Sequence, residues 1–462
     1  MDILNVVVLM LENRSFDCMF GRLQDVLPGI DGLTGDESNI WHDGNDAKVK
    51  VWNDPGLTSF TATIPDPDPG ELYADIALQL NGRDGNSPMG GFVDNYMAQR
   101  PADKPYDQKA VMHYFTPDQV PVLTRLATEF GVSDRWFASA PCQTWPNRFF
   151  AHTGTAAGYV NNDPPHFPYK MPTVFGRLAE KHCDWRVYFH DVPQASTLAT
   201  LWDDVPRHFR FFNAFLADAA AGALPNYSFI EPRYFTDKVL NVLPNDMHPP
   251  HNIIYGEQLV AQVYNAVRSG PKWQQTLLII TYDEHGGCYD HVPPPPAVPP
   301  SNDDADRRFN RYGVRVPAVI VSPYVRKGSI IRPPGATPFD HTTIAATLRA
   351  LYGIRPLTAR DAAAPDLLGA LDAQVSNNGP DRIVAPAPPP AVPEVARVAS
   401  KPPNDLQRSL SNATALLPTM GANVAAHIQR LTDAPLQLPP HDSVEQATVA
   451  VAAHIRAFLG IA

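Results

Sequence analysis

The sequence predicts an α/β fold, a three-layer α/β/α sandwich with a mostly parallel central sheet. Five short runs are rich in β-branched and aromatic residues and mostly lack polar alternation, which is typical of strands covered on both faces. These runs are 3–11, 184–189, 226–230, 276–282 and 316–321. Between them lie stretches with helical periodicity, such as 119–130 and 256–268. This alternation of strands and helices indicates a parallel sheet between two layers of helices.

The 462-residue chain is long enough for one large domain and a smaller appendage. We assign residues 1–382 to the main α/β domain, which contains all five strand-like runs. Residues 383–402 are rich in proline and alanine and are expected to form an extended linker. Residues 403–462 are expected to form a small C-terminal helical appendage, with helices near 404–431 and 442–459.

Composition excludes several classes of protein. The formal net charge of −11 argues against a general nucleic-acid-binding protein. The most apolar runs are strand-length, far short of the roughly 20 residues that cross a bilayer. The N-terminus lacks the features of a cleaved signal peptide, so we expect a cytoplasmic protein or one exported by a signal-independent route. Four scattered cysteines without a CxxC pair favour free thiols.

Acidic and amide side chains follow two of the predicted strands at the point where each strand ends. Glu12 and Asn13 come directly after the first strand, and Asp283 and Glu284 follow the run 276–282. Ligands of open α/β sheets bind at the carboxyl ends of the strands. Three carboxylates close together repel one another unless a cation lies between them. The pattern therefore predicts a site for a divalent metal ion, and the alternative is two ordinary solvated strand ends.

A third stretch, SAPCQTWPNRFFAHTGT at 139–155, offers a nucleophile. Pro146 fits the first turn of a helix, which puts Thr144 at or just before the N-terminus of that helix. Free N–H groups and the positive end of the helix dipole favour a phosphate or an alkoxide there. The alternative is that Thr144 only caps the helix.

Several blocks along the chain together resemble one family of enzymes. In order, they are LENRSFD, TWPNR, YSFIEP, HPP, TYDEHGGCYDHV and VPAVIVSPYV. The set is similar to the bacterial phospholipase C and acid phosphatase family, which includes the plant non-specific phospholipases C, and it spans about residues 3–355. The resemblance implies an alkaline-phosphatase-like α/β/α core and a phosphoesterase that acts through a covalent phospho-enzyme. Residues 1–382 would then be the catalytic domain.

The resemblance also implies roles for individual residues. Glu12, Asn13, Asp283 and Glu284 match the metal ligands, with one divalent ion that could be Ca²⁺, Zn²⁺, Mg²⁺ or Mn²⁺. Thr144 matches the nucleophile. Histidines would neutralise phosphate oxygens or protonate the leaving group. The further catalytic candidates that fall within or near matching blocks are His248, His190, Arg148, His285 and His291.

Glu71 departs from the family pattern. Many relatives carry a histidine after DPG that contacts the phosphate, and this chain has Glu71 at that point. An anionic Glu71 beside a phosphate would be repulsive unless it were protonated or bound to a cation. It could instead hydrogen-bond a substrate hydroxyl, bind a second cation or turn away.

Three functions remain open at this point. The first is a phosphodiesterase of phospholipase C type that acts on phospholipid head groups through a phosphothreonine intermediate. The second is a phosphomonoesterase of acid-phosphatase type, and the third is a non-catalytic protein that binds metal and phosphate. The expected partner is a phospholipid or a small phosphoester, with possible transient contact at a membrane surface and no nucleic acid. The oligomeric state stays open.

Overall fold

The computed structural model describes residues 2–58, 61–100, 106–162, 166–388, 391–433, 438 and 440–461. The strands of these residues are β1 (Asn5–Leu11), β2 (Ser38–Trp41), β3 (Ala47–Lys50), β4 (Gly131–Ser133), β5 (Trp185–Phe189), β6 (Phe209–Phe211), β7 (Tyr227–Glu231), β8 (Thr276–Tyr282), β9 (Ala318–Val321) and β10 (Ser329–Ile330). The five predicted strand runs correspond to β1, β5, β7, β8 and β9.

The helices of the same residues include those predicted at 119–130 and 256–268, which are α4 and α9. They are α1 (Phe16–Phe20), α2 (Tyr73–Asn81), α3 (Phe92–Ala98), α4 (Pro121–Glu129), α5 (Thr144–Thr153), α6 (Val174–Ala179), α7 (Val205–His208), α8 (Phe212–Ala221), α9 (Ile253–Ser269), α10 (Asp304–Arg307), α11 (Thr342–Tyr352), α12 (Ala359–Ala363), α13 (Ala391–Ala399), α14 (Asp405–Ala415), α15 (Val424–Asp433) and α16 (Val444–Leu459).

Eight strands form one sheet in the order β10-β4-β9-β8-β1-β7-β5-β6, and β2 and β3 form a separate hairpin. β8, β1, β7, β5 and β6 are parallel neighbours, whereas β9 is antiparallel to both β8 and β4. The prediction of a mostly parallel sheet is confirmed. The apolar run of β9 predicted a strand but carried no information about its direction.

The central strands are covered on both faces. Every residue of β1, β7, β8 and β9 is buried, and successive side chains of a strand point to opposite faces. On the sheet, α9 contacts β1 and β8 and packs with α4 and α8, while α5, α6, α11 and α12 form a second group. The predicted α/β/α sandwich is confirmed.

The C-terminal segment differs from the expected appendage. The region predicted as an extended linker contains the helix α13. Three helices follow instead of two, α14, α15 and α16. Leu406, Leu410, Val451 and Phe458 belong to the same hydrophobic core as the central strands. The division into domains stays a prediction, but these helices pack directly on the sandwich.

No helix in the described ranges is both long and apolar enough to cross a membrane. The four cysteines are free, and three of them are buried.

Candidate active site

The two acidic strand ends meet at one edge of the sheet. β1 and β8 pair in parallel with Leu11 opposite Tyr282, so the residues that follow each strand are neighbours. The backbone N–H of Asn13 donates to Asp283 Oδ1 at 3.1 Å. Glu12, Asn13, Asp283 and Glu284 are fully buried. The alternative of two solvated strand ends is therefore wrong.

A tight turn directs both Glu12 and Asn13 into this site. Asn13 has a φ of 52°, a left-handed conformation that asparagine tolerates better than most residues. Gly286 lies against this turn, and a Cβ on it would come 2.2 Å from the Asn13 carbonyl oxygen. Gly286 also has a φ of +60°, so both its conformation and the close approach require glycine.

Thr144 enters the same cluster from α5. Its Oγ1 lies 3.5 Å from Glu12 Oε2 and 3.4 Å from Asn13 Oδ1. The N-cap of α5 is Gln143, so the alternative in which Thr144 serves only as a cap is wrong. Thr144 is fully buried, which places its hydroxyl at the positive end of the helix dipole and away from bulk water.

Arg148 holds Glu12 in place. From the second turn of α5, its guanidinium donates to Glu12 Oε1 at 2.5 Å and lies 3.3 Å from Glu231 Oε2. Gln194 Nε2 donates to the same Glu12 oxygen at 2.7 Å. Because Arg148 is engaged by these two buried carboxylates, it acts as a positioning residue for Glu12.

Two carboxylate oxygens of the cluster have no hydrogen-bond partner among the described residues, Asp283 Oδ2 and Glu284 Oε1. Burial raises the pKa of Glu12 and of Glu284 well above the ordinary range, because a buried anion lacks solvation. A divalent cation would supply the missing partner and the missing charge. Oxygen ligands at about 2.0–2.6 Å from one ion lie roughly 3–3.6 Å apart, which the spacing at Thr144 matches. The chemistry of these donors suits a divalent cation, but among the described residues Glu12, Asp283 and Glu284 do not bring three ligand atoms within 4.8 Å of one another, so binding an ion would require these side chains to draw closer.

His285 supports this cluster from behind. Its Nδ1 lies 3.1 Å from Glu284 Oε2 and its Nε2 lies 2.7 Å from Gln79 Oε1. Burial lowers the pKa of His285 to about 3, so the ring is neutral and orients Glu284. His341 contacts the neighbouring acid, Asp283, through its backbone. His341 Nε2 lies 2.5 Å from the Asp283 carbonyl oxygen, which helps to hold Asp283 in position.

Glu71 and His248 lie beside the cluster. Asn13 Nδ2 donates to Glu71 Oε1 at 2.9 Å, and His248 Nε2 lies 3.6 Å from the same oxygen. His248 Nδ1 is 3.7 Å from Asp68 Oδ1. The structure therefore turns Glu71 towards the site, rather than away from it, and brings His248 next to it.

His190 and His291 are predicted site residues that the structure holds elsewhere. His190 stacks on Phe212 at 4.3 Å, and its Nδ1 lies 3.0 Å from the Glu231 carbonyl oxygen. Burial lowers the pKa of His190 to about 3. No contact among the described residues joins this ring to Thr144, so its predicted role as a phosphate contact has no structural support.

His291 belongs to a separate network of charges. Its Nδ1 lies 2.7 Å from Asp17 Oδ2 and its Nε2 3.3 Å from Asp31 Oδ1. Arg315 donates to Asp290 Oδ1 at 2.9 Å and to Asp17 Oδ1 at 3.0 Å. Burial acts to lower the pKa of His291, but the hydrogen bonds to Asp17 and Asp31 raise it to about 10. This histidine connects the loop after β8 to α1, and no contact among the described residues joins it to Thr144, so its predicted catalytic role has no structural support.

Four further residues of the site were not predicted. Each of them contacts a predicted site residue that lies far from it in the chain. The contacts are Asp68 with His248, Gln194 with Glu12, Glu231 with Arg148 and His341 with Asp283. Glu231 stands within the YSFIEP block and Asp68 within the stretch before Glu71. Their positions near these motifs were the only sequence signal that Glu231 and Asp68 belong to the site, because nothing in the local sequence distinguishes them from acidic residues on the surface.

The first turn of α14 covers the site. Asn404, its N-cap, has its Nδ2 3.5 Å from His248 Nδ1, and Gln407 Nε2 donates to the Tyr234 carbonyl oxygen at 2.7 Å. A phosphoester can reach the buried Thr144 hydroxyl only if side chains or this turn move.

Comparisons with known proteins identify the family of this chain. The model of the phosphoesterase family matches residues 3–355. Non-specific phospholipase C1 of Arabidopsis thaliana is 39% identical over 381 residues, covering 77% of this chain and 68% of the relative. Phospholipase C B of Mycobacterium tuberculosis is 30% identical over 419 residues, covering 79% of this chain and 77% of the relative.

Similarity to solved structures is weaker. A protein of the alkaline phosphatase superfamily from Vibrio parahaemolyticus is 13% identical with a TM-score of 0.33, covering 53% of this chain and 64% of that one. The lipoteichoic acid synthase LtaP from Listeria monocytogenes is 11% identical with a TM-score of 0.37, covering 79% and 76%.

The chain belongs to the phosphoesterase family and is a hydrolase of phosphoric ester bonds.

Proposed function

We propose that this phosphoesterase is a metal-dependent phosphodiesterase of phospholipase C type and that Thr144 is its nucleophile. The observation that carries the proposal is the position of the Thr144 hydroxyl, 3.4 Å from Asn13 Oδ1 and 3.5 Å from Glu12 Oε2. The neighbouring strand end adds two buried oxygens without a hydrogen-bond partner among the described residues, Asp283 Oδ2 and Glu284 Oε1. The choice of a diester follows the relatives, which are named phospholipases C.

The reaction has two steps at one phosphorus atom. Thr144 Oγ1 attacks phosphorus and gives up its proton, and the bond to the diacylglycerol oxygen breaks and that oxygen takes up a proton, which leaves free diacylglycerol and a phosphothreonine that still carries the head group as an ester. Water then hydrolyses the phosphothreonine and releases the phosphorylated head group. A divalent ion bound by Glu12, Asn13, Asp283 and Glu284 would lower the pKa of a hydroxyl and neutralise phosphate oxygens.

The protein's part is to position these groups. Arg148 and Gln194 fix the Glu12 carboxylate, and the turn at Asn13 fixes the amide that faces Thr144. Phosphoryl transfer depends mainly on such positioning and on charge stabilisation. Burial of the whole cluster excludes bulk water, so the Coulomb interactions between these charges are screened less than they would be in water.

The test compares Thr144→Ala with Thr153→Ala. Thr153 is also a buried threonine of α5, but its hydroxyl donates to the Phe149 carbonyl oxygen and lies outside the cluster. Turnover of phosphatidylcholine liposomes, of p-nitrophenyl phosphorylcholine and of p-nitrophenyl phosphate is measured for each. Thr144→Ala should lose more than about 10³-fold in kcat, the scale seen when a nucleophile is removed, while Thr153→Ala stays active.

Two further readouts separate the parts of the proposal. Acid quenching during turnover of phosphatidylcholine followed by mass spectrometry should find phosphorylcholine on Thr144, and quenching during turnover of p-nitrophenyl phosphate should find phosphate there. Substantial activity in Thr144→Ala would point to direct attack by water instead. Faster turnover of the monoester than of both diesters would replace the phospholipase assignment with the acid-phosphatase one.

A further inference from the structure

Beside the Thr144 cluster lies a second group of metal-ligating side chains, Asp68, Glu71 and His248. One ligand atom from each lies within 4.8 Å of the other two. His248 is fully buried and Glu71 is 6% exposed. The group is compact enough for one ion, because ligands at about 2.0–2.2 Å on opposite sides of an ion lie roughly 4.2 Å apart.

The orientation of His248 shows what this group lacks. Its Nδ1 lies 2.5 Å from the Pro249 carbonyl oxygen, and because a carbonyl only accepts, Nδ1 carries a proton. Nε2 is buried without a hydrogen bond and faces Glu71 Oε1 at 3.6 Å. Burial acts to lower the pKa of His248, but the Asp68 and Glu71 carboxylates raise it well above its ordinary value, so a positive charge is stabilised at this position, as a proton on Nε2 or as a metal ion that replaces the proton.

Asp68 adds a second unsatisfied atom. Its Oδ1 is buried and has no hydrogen-bond partner among the described residues. Burial raises the pKa of Asp68 well above its ordinary value; the positive charges that oppose this are His248 first, and then Arg14 and Arg408 more weakly. His248 has its Nδ1–H fixed by a backbone carbonyl and its Nε2 directed at the Glu71 carboxylate, which is the usual orientation of a metal-ligating histidine.

A second cluster of two carboxylates and one histidine lies elsewhere in the chain, but it already contains a positive side chain. Asp17, Asp290 and His291 also place their ligand atoms within 4.8 Å of one another. There, however, Arg315 donates to both carboxylates, so a guanidinium already supplies the positive charge. No guanidinium donates to Asp68 or Glu71 in the part of the chain that the structure describes.

We propose that Asp68, Glu71 and His248 bind a second divalent cation, next to the ion proposed for the Thr144 cluster. Two carboxylates and an imidazole suit Zn²⁺ or Mn²⁺ better than Ca²⁺ or Mg²⁺. Asn13 joins the two sites, since its Oδ1 faces Thr144 and its Nδ2 donates to Glu71.

The second cation gives Glu71 a function. An anionic residue at the point where many relatives have a phosphate-binding histidine becomes favourable if it holds a cation there. Resting on the proposed function, the second ion would neutralise the oxygen that leaves phosphorus, opposite the Thr144 nucleophile. His248 would then act on the phosphate through this ion and not by direct contact.

The experiment counts ions in the full-length protein. Chelator-stripped protein is dialysed against Mn²⁺ or Zn²⁺, and bound metal per chain is measured by mass spectrometry. Wild type should hold two ions. Glu71→Gln keeps an acceptor for Asn13 Nδ2 but loses the charge, and it should hold one ion, with the Kd for the second raised at least about 10–100-fold. His248→Asn should give the same result.

Controls separate this proposal from the function. His291→Gln alters the matching cluster that Arg315 fills, and it should keep two ions. Asp283→Asn should lose the ion of the Thr144 cluster. One ion in wild type and none in Asp283→Asn would overturn the second site and leave the proposed function intact.

Two other outcomes are equally decisive. Two ions in Glu71→Gln and in His248→Asn would overturn the assignment to these residues. Two ions retained in Asp283→Asn would overturn the metal site of the proposed function instead. The count in wild type needs no variant to fold.

Discussion

Arg148 is expected to be the most important single charge for the stability of this site. Its guanidinium donates to Glu12 and to the Met10 carbonyl oxygen and pairs with Glu231, and the side chains of all three charged residues are at most 2% exposed. Arg148→Met keeps much of the side chain's length and removes only the charge and its donors. The variant leaves two buried carboxylates without their cation.

The magnitude follows from that geometry. Removing one partner of a buried ion pair costs about 3–5 kcal/mol, because the remaining charge stays buried and unpaired. Each acid keeps some donors, Gln194 for Glu12 and the Ala195 N–H for Glu231. We therefore expect the free energy of unfolding to fall by about 3–5 kcal/mol and not by twice that amount.

The matched control is Arg125→Met. Arg125 also pairs with a glutamate, Glu129 at 2.8 Å, but its side chain is 56% exposed, and such surface pairs contribute at most about 1 kcal/mol. Urea unfolding of chelator-treated protein, followed by fluorescence and circular dichroism, gives both values. If Arg148→Met costs no more than Arg125→Met, the reasoning about this buried charge network is wrong.

Gly286→Ala should lower both the melting temperature and the amount of bound metal, because the new Cβ meets the Asn13 carbonyl and φ is positive. Gly335→Ala, where nothing lies within 4 Å, should change neither quantity. An unchanged melting temperature and metal content in Gly286→Ala would contradict the role given to the turn at Asn13. His291 has a folded pKa of about 10, above the roughly 6.5 of an unfolded chain. Its stabilisation is therefore complete below about pH 6.5 and lost as pH rises through 10. His291→Asn should accordingly lower the melting temperature at pH 6, with a difference that shrinks towards pH 10; a constant difference would refute this. Deleting 403–462 should lower the melting temperature and increase binding of a hydrophobic dye, since α14 and α16 share the main core; an unchanged melt would show an independent appendage.

The sequence by itself determined the fold class and the main positions of the site. Alternation and apolar runs are local properties, so β1 and β8 could be located from composition and periodicity. Neighbouring parallel strands end at the same edge of a sheet, and this rule was enough to predict that Glu12 and Asp283 lie close together. Pro146 likewise marked the start of α5, and with it the position of Thr144.

Only the tertiary structure decided how the charges pair. Asp68 and His248 are far apart in the chain, and His291 and Arg315 meet only because β8's following loop reaches α1. Whether a buried acid holds an arginine or has an unsatisfied oxygen depends on which side chains approach within hydrogen-bond distance, and no local pattern encodes that. The packing of α14 over His248 is of the same kind. Periodicity predicts that a helix exists and which face is apolar, whereas the surface it covers is set by long-range contacts.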